Sequence, residues 1–134
     1  YEYLTKKYPN KQVLLVNGEI KAEVRENIRK ITEQNNNVIV VASYQTYQHG
    51  INIKNLHNVI FASPSKSMIR VFQSIGRALR KHSSKKVARL YDLADDFTGD
   101  KRKTKNYTLS HFEERIRMYM EQDFNIKYAE LDFK

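Results

Sequence analysis

Val38-Ile39-Val40-Val41-Ala42 is apolar at every position, without the alternation of a half-solvated strand. A run of this length, with its β-branched residues, reads as a strand covered on both faces, which a parallel sheet requires of its central members. Working outward, Asn35-Asn36-Asn37 breaks the preceding element. That element, Lys21 to Gln34, carries Val24, Ile28 and Ile31 at helical spacing with charges elsewhere. Before it, Lys11-Gln12-Val13-Leu14-Leu15-Val16 is a second strand, closed by an Asn17-Gly18 turn. Downstream, Val59-Ile60-Phe61-Ala62 and Ala88-Arg89-Leu90-Tyr91-Asp92-Leu93 read as two further strands around a helix from Ser67 to Arg80. Strand and helix alternate, which implies right-handed crossovers and an α/β sandwich with ligands at the carboxyl ends of the strands.

The Ser67–Arg80 helix has two faces. At 100° per residue, Met68, Val71, Phe72, Ile75, Ala78 and Leu79 fall on one side and Arg70, Gln73, Arg77 and Arg80 on the other. No acidic residue lies nearby in sequence to pair with these arginines. Gly76 within the helix costs about 1 kcal/mol relative to alanine and marks a place where another backbone or a ligand comes close. An amphipathic helix with a solvated basic face is the plainer alternative.

The charge distribution extends this. The 134 residues carry a net charge of +9. Between Glu33 and Asp92 there is no acidic residue, while Lys54, Lys66, Arg70, Arg77, Arg80, Lys81, Lys85, Lys86 and Arg89 are all basic. The rest of the chain is neutral, so the whole excess sits in the middle segment, as expected for a polyanion partner: phosphate, nucleotide or nucleic acid. The absence of cysteine removes disulfides, thiol catalysis and cysteine metal sites. The longest apolar runs are far too short to span a membrane, and no secretory signal is visible, so the expectation is a cytoplasmic protein with no membrane partner. The chain starts Tyr1-Glu2-Tyr3-Leu4, partway through an expected helix ending before Pro9, and reads as a piece of a longer protein.

Gln73-x-x-Gly76-Arg77-x-x-Arg80 resembles motif VI of superfamily-two helicases and translocases. The stretch Ser43 to Ile53, directly after the second strand, resembles their motif V. The resemblance covers roughly residues 10–97 and implies a RecA-like three-layer α/β sandwich with a mainly parallel sheet, followed by a helical C-terminal extension over 98–134. It makes Arg77 and Arg80 the arginine-finger pair, suited to the task because a guanidinium is permanently charged and forked. It places Gly50, Asn52, Gln73 and Gly76 at the nucleotide, and Ser43, with Lys66, Lys85 and Lys86 of the basic segment, on the nucleic-acid backbone. Asn52 stands where the family has an aspartate, so an acceptor-only carboxylate is replaced by an amide that also donates.

The sequence has no Gly-x-x-x-x-Gly-Lys-Ser/Thr phosphate loop and no strand ending in Asp-Glu. The resemblance therefore implies the second half of a motor acting on single-stranded or branched DNA. Its substrate would be ATP, with Mg²⁺ held by a separate N-terminal RecA-like domain. The wording of the two motifs looks most like branch-remodelling DNA helicases of recombination and repair. A non-catalytic basic module that binds nucleic acid, or an RNA helicase domain, are the alternatives. Asp92, Asp95 and Asp96 read as an acidic rim facing the basic segment, with no metal site. Ser110-His111-Phe112-Glu113 matches a capping box and is expected to open a helix with Phe112, Ile116 and Tyr119 on one face. Beyond Gln122, Phe124, Ile126 and Tyr128 alternate with polar residues, consistent with either a strand or a docking arm.

Overall fold

Parallel pairing of Gln12–Val16 with Val38–Ala42 gives the chain its frame. The computed structural model describes residues 1–48, 53–63, 76, 87–97 and 106–131. Their elements are α1 (Glu2–Lys7), β1 (Gln12–Val16), α2 (Ala22–Gln34), β2 (Val38–Ala42), α3 (Tyr44–Gln48), β3 (Asn58–Phe61), β4 (Arg89–Asp92) and α4 (Tyr107–Glu121). Among the described residues the strands form two pairs, β1 with β2 and β3 with β4. In the second pair, Arg89 N–H donates to His57 O and Leu93 N–H to Phe61 O. Both strands advance together between those bonds, so this pair is parallel too. The chain divides into two compact units: Tyr1–Val59 with Ser67–Tyr91, and Ile60–Lys66 with Asp92–Lys134.

In the first unit, α1 ends where Pro9 forbids helical backbone for the residue before it; Tyr8 leaves the helix at φ −123°, ψ 67°. Asn17 then turns the chain after β1, its Oδ1 accepting from Glu19 N–H at 3.2 Å. Helix α2 begins at Ala22, one residue later than expected. Its inward face is set by Ile28 and Thr32, both buried, whereas Val24 is 46% exposed. Thr32 fits there because its hydroxyl donates to Ile28 O at 2.7 Å. On the outward side Arg29 forks between Glu26 and Glu33, both at 2.6 Å.

Val16, Ile28 and Ile53 form the core of this unit, with Leu14, Val40 and Leu56 packed against them. Val16 and Ile53 are fully buried, and truncating such side chains to alanine costs about 2–5 kcal/mol. Asn55 fastens the segment after Ile53 to the end of α2: its Nδ2 donates to Glu33 O at 3.3 Å and to Asn36 Oδ1 at 3.2 Å. One of the carbonyls that a helix C-terminus leaves unpaired is thereby satisfied.

Strand β2 is less enclosed than its composition predicts, being half-buried over Val38–Val41 and exposed at Ala42. Strand β1 is also incompletely covered, with Leu15 at 37% exposure although Val13 and Val16 are buried.

In the second unit, the helix start expected at Ser110 is corrected. Helix α4 opens at Tyr107, and Asn106 caps it, its Oδ1 accepting from Leu109 N–H at 2.8 Å. Ser110 and Glu113 therefore lie inside the helix. At the other end, Phe124 N–H donates to Tyr119 O and Asp123 N–H to Met120 O, with Asp123 at φ 54°. These are the two bonds of a Schellman motif, completed by a stack of Phe124 on Tyr119 with ring centroids 6.2 Å apart. The tail from Phe124 to Leu131 forms no strand.

Candidate functional site

Parallel pairing brings the carboxyl ends of β1 and β2 side by side, at Val16 and Ala42. Ser43 is the next residue, and its N–H donates to Val16 O at 3.3 Å. Its hydroxyl lies 2.7 Å from Thr46 Oγ1 and accepts weakly from Thr46 N–H at 3.4 Å, so Ser43 caps α3. Thr46 is buried, while Ser43 itself is exposed. The polar stretch after β2 thus begins as a short helix.

Gly76 is helical, as the two-faced pattern expects. A Cβ built there meets no atom of the described residues within 4 Å. Gly50, Asn52, Lys66, Gln73, Arg77, Arg80, Lys85 and Lys86 lie outside the described residues.

A polar cluster that sequence reasoning missed occupies the end of β4. Arg115 Nε donates to Asp92 Oδ2 at 2.7 Å and Nη2 to Oδ1 at 2.8 Å. Tyr119 hydroxyl donates to the same Oδ2 at 2.6 Å. The two charged side chains are almost sealed, at 3% exposure for Arg115 and 7% for Asp92. Asp92 is therefore not part of an acidic rim facing the basic segment; its carboxylate is committed to α4. Burial acts to lower the Arg115 pKa, but the Asp92 hydrogen bonds and charge prevail and hold it above its ordinary value. Burial, then the bond to Asp92, push the Tyr119 hydroxyl well above the ordinary tyrosine value, so it remains a donor. Beside this cluster Leu109, Phe112, Glu113, Ile116, Arg117 and Tyr128 line an open groove of about 410 Å³.

No group of three or more His, Cys, Asp or Glu among the described residues is placed to hold a metal. No described helix is long and apolar enough to cross a membrane.

The parallel strands and the crossover helix α2 are features of a RecA-like α/β fold. Residues 1–82 match the helicase conserved C-terminal domain, and the chain belongs to that family. It is 41% identical over 123 residues to the ATP-dependent DNA helicase uvsW of Enterobacteria phage T4, covering 85% of this chain and 24% of that protein. The chain thus spans about a quarter of the length of this relative. The solved C-terminal part of the Fun30 ATPase domain superposes with a TM-score of 0.57 at 19% identity, over 84% of this chain and 37% of that one. That likeness concerns the fold.

Proposed function

We propose that this chain is the second RecA-like half of an ATP-dependent DNA helicase motor, acting on branched DNA in recombination or repair. The observation that carries the reading is that Gln73-x-x-Gly76-Arg77-x-x-Arg80 falls inside the matched residues 1–82. The named activity of the phage relative supports ATP and DNA as substrate and partner.

In this reading Arg77 and Arg80 reach the β- and γ-phosphates of ATP held mainly by an N-terminal RecA-like domain, and stabilise the charge that develops as the phosphoryl group transfers. Gly50, Asn52, Gln73 and Gly76 border the nucleotide; among the described residues no atom crowds Gly76, which fits a close approach. Ser43, Lys66, Lys85 and Lys86 hold the DNA backbone, and residues 98–134 form a helical extension of this half. Mg²⁺, which neutralises phosphate charge in such motors, would be held by the N-terminal domain, since this sequence has no phosphate loop and no strand ending in Asp-Glu. Closure of the two halves around ATP then couples hydrolysis to the grip on the strand.

The test is steady-state ATP hydrolysis with and without DNA, comparing the complete protein with the isolated chain. The complete protein is expected to show DNA-stimulated turnover and the isolated chain none above background. Stimulated turnover by the isolated chain, or none in the complete protein, contradicts the reading.

A further inference from the structure

Helix α1 buries none of its residues. From Tyr1 to Gln12 every residue is exposed apart from Leu4, which is half-buried. At about 100° per residue, Lys6, Tyr3 and Lys7 share one side of the helix, and Leu4 and Tyr8 the opposite one. The outward side is ordered by its own contact: Lys7 Nζ donates to the Tyr3 hydroxyl at 2.9 Å and lies 5.2 Å from the centroid of its ring. Tyr3 nevertheless keeps 67% exposure. A third cation, Lys11, is fixed just before β1, where its Nζ donates to Asn37 Oδ1 at 2.9 Å. Asn37 Nδ2 in turn donates to Asn10 O, so one amide ties the α1–β1 turn to the amino end of β2.

These cations lack the partners that α2 gives its own. Arg29 is neutralised by Glu26 and Glu33, whereas among the described residues no carboxylate pairs with Lys6, Lys7 or Lys11. Glu2 is the only acid in residues 1–11. Because the Tyr3 oxygen accepts from Lys7, its own hydrogen points elsewhere and adds a donor, and the ammonium keeps two more N–H groups. Phosphate oxygens take such donors, and an unpaired base stacks on an open tyrosine face. An apolar partner would strip water from the ammonium groups without pairing them. An acidic protein surface would use the lysines but not the ring.

We propose that Tyr3, Lys6 and Lys7 of α1, with Lys11, form a contact for single-stranded DNA, in which Tyr3 stacks an unpaired base and the lysines hold neighbouring phosphates. The contact lies at the amino end of β1, a strand length of roughly 13 Å from the end that carries Ser43. It is therefore separate from the grip proposed at Ser43 and suits a second strand of a branched substrate. The inference rests on the function proposed above in taking DNA as the partner.

The experiment is fluorescence anisotropy of the complete protein with a mixed-sequence single-stranded oligonucleotide and with its duplex, across a salt series. Tyr3→Ala is expected to lower single-strand affinity by about tenfold more than duplex affinity, since paired bases offer no free face to stack. Lys6→Ala/Lys7→Ala should reduce the single-strand salt slope by about 1.4, at roughly 0.7 per phosphate contact. Both variants alter exposed side chains and should keep the thermal midpoint. Unchanged single-strand affinity in Tyr3→Ala, or an unchanged slope in the lysine variant, overturns the contact, while DNA-stimulated turnover of the unsubstituted protein keeps the motor reading intact. A fall in thermal midpoint with DNA affinity unchanged marks this face as a contact with another part of the protein and also overturns the proposal. Absence of DNA binding by the unsubstituted protein overturns both.

Discussion

The backbone N–H of Ser43 donates to the carbonyl of Val16 at 3.3 Å, carrying the β1–β2 ladder one step beyond its last residue pair, Val16 with Ala42. Ser43 is therefore held by the sheet on its backbone side and by α3 on its hydroxyl side. This double anchoring separates its structural role from its proposed contact with a DNA phosphate. Ser43→Asp keeps a good capping acceptor but places a negative charge where a phosphate is expected. Its thermal midpoint should match the unsubstituted chain, while DNA affinity of the complete protein at low salt falls by about tenfold or more, roughly the 1.4 kcal/mol of a close like-charge contact. Unchanged DNA affinity in Ser43→Asp removes Ser43 from the interface. Ser43→Ala should show the complementary pattern, losing about 1 kcal/mol of stability with the cap.

Asp123 at φ 54° occupies the position where a Schellman motif prefers glycine. Aspartate tolerates the left-handed region better than most residues, yet it still bears a Cβ penalty there. Asp123→Gly is expected to stabilise the chain by about 0.5 kcal/mol, the relief of strain being partly offset by the greater freedom of glycine in the unfolded state. Equilibrium urea unfolding measures this. A loss of stability would mean that the aspartate side chain contributes more than its backbone strain takes away.

Much of the architecture is legible in the residues themselves. The apolar runs at Val13–Val16, Val38–Ala42 and Val59–Ala62 need no partner to announce a strand, and each lies within one or two residues of the observed element. The start of α4 was misplaced because Ser110-x-x-Glu113 carries a helix-start pattern, while the operative cap, Asn106, sits four residues earlier behind an exposed Tyr107. Helix α3 is five residues long and depends on the Ser43–Thr46 contact, so it shows no periodicity to read. Arg115 lies next to Glu114 and one residue before Ile116, which in sequence resembles an ordinary solvated position. Its partner is 23 residues away at the end of a strand, and pairs of that separation leave no local signal. The same holds for Asn55, which reaches back to Glu33 and Asn36.

The basic segment predicts a salt signature. If Lys66, Lys85 and Lys86 neutralise DNA phosphates, affinity of the complete protein should fall steeply and linearly on a log–log plot against salt, with little sequence preference. Lys85→Ala or Lys86→Ala should each reduce the slope by about one and spare turnover at saturating DNA. Binding that is insensitive to salt, or selective for base sequence, contradicts a backbone grip.

The most direct test of the account is Arg80→Lys in the complete protein, measured by steady-state ATP hydrolysis across a DNA titration, with Arg77→Lys alongside. Lysine keeps the charge but cannot reproduce the fork that follows charge onto a transferring phosphoryl group. The account predicts nearly unchanged DNA binding and a loss of turnover of about 10³-fold or more, in line with the 10³–10⁵ that such fingers contribute. Near-normal turnover of Arg80→Lys at saturating DNA and ATP would contradict it, leaving the Gln73–Arg80 segment as a basic stretch without a part in catalysis.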